Sequence, residues 1–400
     1  MLSRKIYLDY AASTPVDPRV FEAMKPYFTE KFGNPGSLHS FGQEAIAVVD
    51  KSRETIAKAI NADFREIIFT GSATEANNLV LRGVAVAFAK KNGTHPRIII
   101  SSIEHESVFE TARDLEQWGI EVIYLPVDRR GIVDLVKLKS SLNDRTALVS
   151  IMYANNEIGT IQPIQEIADI VHGQTARPLL HTDAVQAFQF LDCNPKKLGV
   201  DLMTFSAHKI YGPKGIGALY IRDGGKMKFS PQTTGGGQEF GLRSGTENVP
   251  LIAGFAKAVE LLLISAHSHE LAHKRISELR GHFWQELKKI YPKAEINGVI
   301  GESDTLQALP NILNVYFPNH ESQDLLTKFD MAGLAVSAGS ACRSRAVESS
   351  YVIEALGYAN GSTELATGDR GKRSIRCSFG RPTTREEVDQ ALAVIKKCIG

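Results

Sequence analysis

Two neighbouring stretches, PLLHTDAVQ (178–186) and DLMTFSAHKIYGPKGIGALY (201–220), decide the fold. Each opens on a short apolar run of the kind that forms a strand buried on both faces, and each run ends in polar residues. Asp183 closes the first run and Lys209 follows the second. Their separation of 26 positions is the length of one helix-and-strand excursion. Such an excursion returns the chain to the same edge of a parallel sheet, where open α/β sheets bind ligands.

The same rhythm extends outward. EIIFT (66–70), RIIIS (97–101), EVIYLPV (121–127) and ALVSIMY (147–153) precede these two runs, and GALYI (217–221) ends the series. Most of the intervals are longer and helix-periodic. In SATEANNLVLRGVAVAF (72–88), Ala76, Val80, Val84 and Ala87 share one face. The spacing of Ser72 and Glu75 is that of a capping box and predicts a helix beginning at Ser72. This alternation implies an α/β fold, a mainly parallel sheet with helices on both faces. Beyond the glycine-rich TTGGGQEFGLRSGTEN (233–248) the pattern changes. A helical region over about 249–292 leads to sparser strands at ILNVYF (312–317), LAVSAGS (334–340) and SIRCSFG (374–380). A last helix follows Thr384, whose spacing to Glu387 is another capping box. These elements read as a smaller α+β domain, and the polar, glycine-containing 358–373 reads as a mobile loop.

At 400 residues, two domains are the natural expectation. A formal net charge of +1 gives no electrostatic footprint for nucleic acid or an anionic membrane. The start MLSRKIYLDYAAS lacks the apolar stretch of a secretory signal, and no run reaches the length of a membrane span. The 4 cysteines form no CxxC pair and no metal-ligand spacing, so a reduced cytoplasmic setting is the expectation. Cys342 stands out among them. It lies in SAGSACRS (337–344), among side chains too small to bury it and next to Arg343.

Lys209, in a Ser/His/Gly-rich turn after a strand, suits phosphate binding, imine formation or simple solvation. Asp183 directly after an apolar run is costly unless a cation faces it. A lysine for an imine and a carboxylate to keep a pyridine nitrogen protonated are what pyridoxal 5'-phosphate requires. GSATEA (71–76) supplies the remaining need, a glycine and the free N–H groups of a helix start for a phosphate, with Thr74, Ser206 and His208 as further donors. Each signal alone has a plain structural explanation, but one cofactor explains all three.

The series YLDYAAST, GSATEANN, EHES, NNEIG, HTDAVQ, SAHKIYGPKGIGALY, RSGTEN and SAGSAC, in order over nearly the whole chain, resembles the cysteine desulfurases. These are class V, fold-type I pyridoxal-phosphate enzymes, and the likeness is to the NifS-like branch serving iron–sulfur assembly and tRNA thiolation. The resemblance implies a large cofactor domain over 16–260 with a seven-stranded sheet. It implies a small domain of 1–15 and 261–400 carrying a mobile catalytic loop at about 338–350. Lys209 is then the covalent anchor of the cofactor and the mover of the substrate's Cα proton, Asp183 the partner of the ring nitrogen, and His105 the group stacked on the ring. Asn156 and Gln186 bond the ring substituents. Ala73, Thr74, Ser206 and His208 hold the phosphate, and Thr246 reaches it from a second subunit of a homodimer. Arg376, with Asn34, takes the carboxylate of L-cysteine, for which a planar fork of donors is well suited.

Cys342 becomes the nucleophile. As a thiolate favoured by Arg343, it takes the substrate's sulfur as a persulfide, releases L-alanine, and passes the sulfur to an acceptor such as an iron–sulfur scaffold or a tRNA-thiolation carrier. A selenocysteine lyase or class V aminotransferase on the same fold is the near alternative, and a non-catalytic partner-binding module the distant one. Two departures bear on the acceptor, which the sequence leaves open. The segment between Cys342 and Ser374 is longer than the family pattern, and the sequence ends at KKCIG (396–400) without the tail that contacts the scaffold. Packing is the expectation for Cys377 and Cys398.

Overall fold

A computed structural model describes residues 5–225, 229–264, 266–299, 307–339, 349–357 and 367–399. All seven apolar runs become strands of one sheet: β2 (Ile67–Thr70), β3 (Arg97–Ser101), β4 (Glu121–Leu125), β5 (Thr146–Ser150), β6 (Leu179–Asp183), β7 (Leu202–Ser206) and β8 (Gly217–Ile221). The spatial order is β2-β8-β7-β6-β5-β3-β4, with β8 alone running against its neighbours. This is the mainly parallel α/β sheet expected from the sequence. Its central strands are sealed on both faces: Leu180, Met203, Phe205 and Val149 pack into one apolar cluster, and Ile98, Ile100, Leu148 and Leu202 into another. The run of β-branched and apolar residues in these strands follows from that two-sided burial.

The helix Ala73–Asn92 begins one residue later than expected, because Ser72 is its N-cap, with Oγ accepting from Glu75 N at 3.0 Å. Only half of the capping box forms. The Glu75 carboxylate accepts from Gly71 N at 2.7 Å instead and is bound by Arg243. The last helix, Arg385–Ile399, carries a complete box, in which Thr384 N donates to Glu387 and Glu387 N donates to Thr384 Oγ1.

A second, three-stranded sheet has the order β12 (Ser374–Ser378), β10 (Ile312–Tyr316) and β9 (Glu295–Ile296), antiparallel throughout. Between it and the helices Ala266–Ile290, Ser322–Met331 and Arg385–Ile399 lies a separate apolar cluster that includes Phe283, Phe317, Phe329 and Phe379. β1 (Ile6–Tyr7) pairs in parallel with β11 (Leu334–Ala335), so the first residues of the chain join this part. Strand structure ends there at Ala335, short of the 334–340 run read from the sequence. The expected 358–373 loop is also corrected in part. Thr367–Lys372 is helical, and Arg370 fastens it through hydrogen bonds to Asn297 at 2.6 Å and Glu295 at 2.7 Å. No described helix is long and apolar enough to cross a membrane.

Candidate active site

At the carboxyl ends of β3, β5, β6 and β7 lies a cavity of ≈ 320 Å³. Of the residues singled out from the sequence, Ala73, Thr74, His105, Asn156, Asp183, Gln186, Ser206, His208, Lys209 and Arg376 line it. Asn34 and Thr246 do not. Asn34 is exposed and caps its own turn, accepting from Gly36 N at 2.9 Å. Thr246 lies in an adjoining cleft with Gly71, Glu239 and Arg243, which shares Gly215 and Ile216 with the main cavity. Cys342, with Arg343, lies outside the described residues.

Asp183 is the last residue of β6 and is buried. Its carboxylate accepts from Asn77 Nδ2 at 2.8 Å and from Val185 N at 2.9 Å. Asn77 was missed by the sequence reading. It is fully buried in the first turns of the helix Ala73–Asn92, and its amide also donates to Ser107 Oγ at 2.8 Å. Ser107 in turn meets His105 Nδ1, through its N–H at 3.1 Å and its hydroxyl at 2.9 Å. Two donors on Nδ1 leave the ring proton on Nε2. Burial pushes the His105 imidazole below its ordinary range, the Asp183 charge opposes this, and Lys209 adds to it. One amide thus ties the carboxylate to the histidine.

Lys209 sits in a one-turn helix after β7. Its amine donates to the carbonyls of Ala11 and Ala12 at 2.6 and 2.8 Å. Gln186 Nε2 donates to the same Ala11 carbonyl at 3.0 Å. The YLDYAAST segment therefore packs directly on the lysine turn. Thr14 N and Oγ1 also bond the His208 carbonyl, and Thr14 Oγ1 accepts from Tyr211 N. His208 is held near a pKa of about 3 by burial, and then by the charges of Lys209 and Lys214, so its ring is neutral.

The residues fit pyridoxal 5'-phosphate. A carboxylate lies on the floor, an amine lies in the same cavity, and the start of the helix Ala73–Asn92 offers N–H groups beside Ser72 and Thr74. Gly217 permits that approach, since a Cβ there would lie 2.6 Å from the Ser72 carbonyl carbon and 2.8 Å from Ala73 N.

Arg376, on β12, is fully buried and brings the second sheet to the cavity. Its Nη1 donates to the Asn156 carbonyl at 2.9 Å and its Nη2 to Asp9 Oδ1 at 2.8 Å, while Nε–H has no hydrogen-bond partner among the described residues. The residue after Asn156 meets the described residues on either side of 340–348. Glu157 accepts from Ser350 Oγ at 2.6 Å, and a Cβ on Gly339 would lie 3.6 Å from the same carboxylate. Both flanks of the stretch that contains Cys342 therefore converge beside Asn156. The described cysteines lie elsewhere. Cys377 is buried with its thiol pushed up to about 12 by burial, as suits packing, and Cys398 meets the Lys328 carbonyl on the outer helix.

Residues 6–391 match the aminotransferase class-V family. The chain is 46% identical over 398 residues to the cysteine desulfurase IscS of Dictyoglomus turgidum, covering 100% of this chain and 95% of that one. It is 44% identical over 395 residues to the IscS of Rickettsia typhi, covering 98% and 91%. The chain belongs to the cysteine desulfurases of the class-V aminotransferase family. Among solved structures, a NifS-like protein superposes with a TM-score of 0.87 at 38% identity, covering 98% of both chains. SspA in complex with cysteine superposes with a TM-score of 0.76 at 34% identity, covering 93% of this chain and 98% of that one. These proteins are thus similar to this chain in sequence and in fold.

Proposed function

We propose that the cavity takes L-cysteine, that Lys209 is the covalent anchor of pyridoxal 5'-phosphate, and that Cys342 removes the substrate sulfur as a persulfide, leaving L-alanine. The observation that carries the reading is the convergence of the Lys209 amine, the Asp183 carboxylate, the helix start at Ala73 and the Arg376 guanidinium on one cavity. When bound, the cofactor supplies an electron sink that makes the bond to the substrate's Cα proton labile. Asp183, fixed by Asn77 and Val185, holds a proton on the ring nitrogen. His105, with Nε2 carrying its proton, would stack on the ring. Asn156 and Gln186 would bond the ring substituents, and Ala73, Thr74, Ser206 and the neutral His208 would hold the phosphate.

Lys209, whose amine is held by the Ala11 and Ala12 carbonyls, would carry the Cα proton. Arg376 binds the α-carboxylate. The Cys342 thiolate attacks the substrate's Sγ, its carbon–sulfur bond breaks, and the electron pair returns to the amino-acid skeleton. Residues 16–260 hold the cofactor in this scheme, while 1–15 and 261–400 bring Arg376 and the nucleophile. A homodimer completes it, and Thr246 and Asn34 take their roles there. Support for a second copy is the exposed apolar group Phe21, Phe28, Phe32, Leu38 and Phe41, contributed by one short stretch of chain. The persulfide then goes to a sulfur-acceptor protein, an iron–sulfur scaffold or a tRNA-thiolation carrier, in the cytoplasm.

Mass spectrometry of the protein after incubation with L-cysteine tests the reading. A gain of one sulfur on the Cys342 peptide is expected, with alanine released. C342S should lose both while keeping the visible absorption of the bound cofactor, and K209A should lose that absorption. Alanine formation undiminished in C342S would sink the assignment, and amino transfer to a keto acid in its place would make the protein an aminotransferase.

A further inference from the structure

Arg376 does not meet a substrate as a bare cation. Its side chain is 1% exposed, and Asp9, 16% exposed, already holds Nη2 through one oxygen at 2.8 Å. The Asn156 carbonyl takes Nη1 at 2.9 Å. Arg376 nonetheless lines the cavity, and its Nε–H is buried without a hydrogen-bond partner among the described residues. Asp9 itself is not among the cavity-lining residues, so it touches a ligand only through the arginine. The pair is fixed from both sides of the backbone. Asp9 bridges to Ser378, two residues beyond Arg376, and Arg376 bridges to Ser337.

Electrostatics then gives Asp9 two opposing effects. It offsets the cost of burying a guanidinium in the free protein, and it repels any second carboxylate that shares that guanidinium. We propose that Asp9 is a specificity-determining residue: by taking part of the Arg376 fork, it limits the site to amino acids with a single carboxylate and keeps that carboxylate weakly held. The inference rests on the reading of Arg376 as the carboxylate site. A ligand with a single carboxylate on Arg376 leaves the cluster of Arg376, Asp9 and that carboxylate with one net negative charge. A dicarboxylate adds a further negative charge to the same cluster, where burial strengthens the repulsion. Product release benefits for the same reason, since alanine retains the carboxylate that Asp9 opposes.

This reading differs in sign from a purely structural role. If Asp9 only aims the arginine, removing its charge weakens ligand binding. If it tempers the arginine, removing the charge while keeping the shape strengthens binding. The test is competitive inhibition of cysteine turnover in the holoenzyme by L-alanine, L-alaninamide and L-aspartate, together with the rise in melting temperature each ligand causes. In D9N, L-alanine should bind about fivefold to tenfold tighter, L-aspartate should gain more than L-alanine, and L-alaninamide should not change. The ligand-free melting temperature should fall, and the rise caused by L-alanine should grow. D9E should restore the wild-type order.

Weaker L-alanine binding in D9N, or equal gains for L-alanine and L-aspartate, overturns the proposal. The carboxylate reading is tested separately by R376Q, which should abolish the preference of the protein for L-alanine over L-alaninamide. A wild-type protein without that preference, or one in which R376Q leaves it intact, refutes the role of Arg376 itself whatever D9N does.

Discussion

Two buried arginines in this molecule have the same chemistry and different surroundings. Arg53 and Glu239 form a two-pronged pair at 2.6 and 2.8 Å, with side chains 5% and 2% exposed. The Ile67 carbonyl takes a further Arg53 donor, Glu239 also accepts from Phe69 N, and the rings of Phe64, Phe69 and Phe240 surround the guanidinium. Arg376 has a partner on one prong, a carbonyl on another and a cavity beyond. Both leave a buried Nε–H without a hydrogen-bond partner among the described residues, so an unmet donor alone does not mark a site. What the residue borders differs: aromatic rings at Arg53, a ligand-sized cavity at Arg376. The first arginine fastens the Glu239–Gly241 turn to β2 and the helix Ser40–Ala59, and the second lines that cavity.

The contrast is easiest to break at Arg53. R53A strands Glu239 in the interior and should cost about 3–5 kcal/mol of stability, seen as a large drop in the denaturation midpoint. R53M combined with E239Q, which keeps an acceptor for Phe69 N, should recover more than half of it. R376Q should lose less than half as much stability as R53A. A greater loss would make Arg376 a structural residue first.

A smaller effect is expected at Asn77, which closes the circuit between Asp183 and His105. N77A removes one hydrogen bond from a charged group, about 1.5 kcal/mol, and should lower kcat about tenfold with little change in KM. It should also displace the pH dependence of the bound cofactor's absorption, which mere loosening of the helix would not do.

The smallest effect belongs to Glu104, a third kind of buried ionisable group. One oxygen accepts from Ser101 Oγ at 2.6 Å and Met152 N at 2.8 Å, while the other has no hydrogen-bond partner among the described residues. Burial raises its pKa from 4.5 to about 8. The folded chain then keeps a proton that the unfolded chain releases, so this contribution to stability is full below 4.5 and is lost as pH climbs through about 8. E104Q should flatten that slope and melt above the wild type at pH 8.5 by a wider margin than at pH 5. Parallel melting curves at both pH values would show that Glu104 is ionised throughout.

Much of this was legible in the residues. All seven runs of the large sheet were visible, because a strand buried on both faces must be almost wholly apolar, and that composition needs no partner to interpret. The Asp183–Lys209 convergence followed from chain length between parallel strands. Asn77 was hidden because it adjoins the apolar stripe of its helix, next to Ala76 and three residues before Val80. A polar residue there looks like a boundary position until the sheet beneath it is known. Asp9 was hidden by distance: it meets Arg376 across 367 residues of chain. The helix Thr367–Lys372 eluded the reading because two glycines in six residues resemble a loop, and the contacts that hold it come from Glu295 and Asn297.

The segment from Asp9 to Ala12 grips Arg376 at one end and Lys209 at the other, and it is moored upstream by a strand only two residues long. A load on Ile6 or Tyr7 therefore bears on the one segment that holds both side chains in place. An affinity handle or fusion partner belongs at the far terminus, since one placed ahead of Ile6 would pull on the thread to which Lys209 is tied.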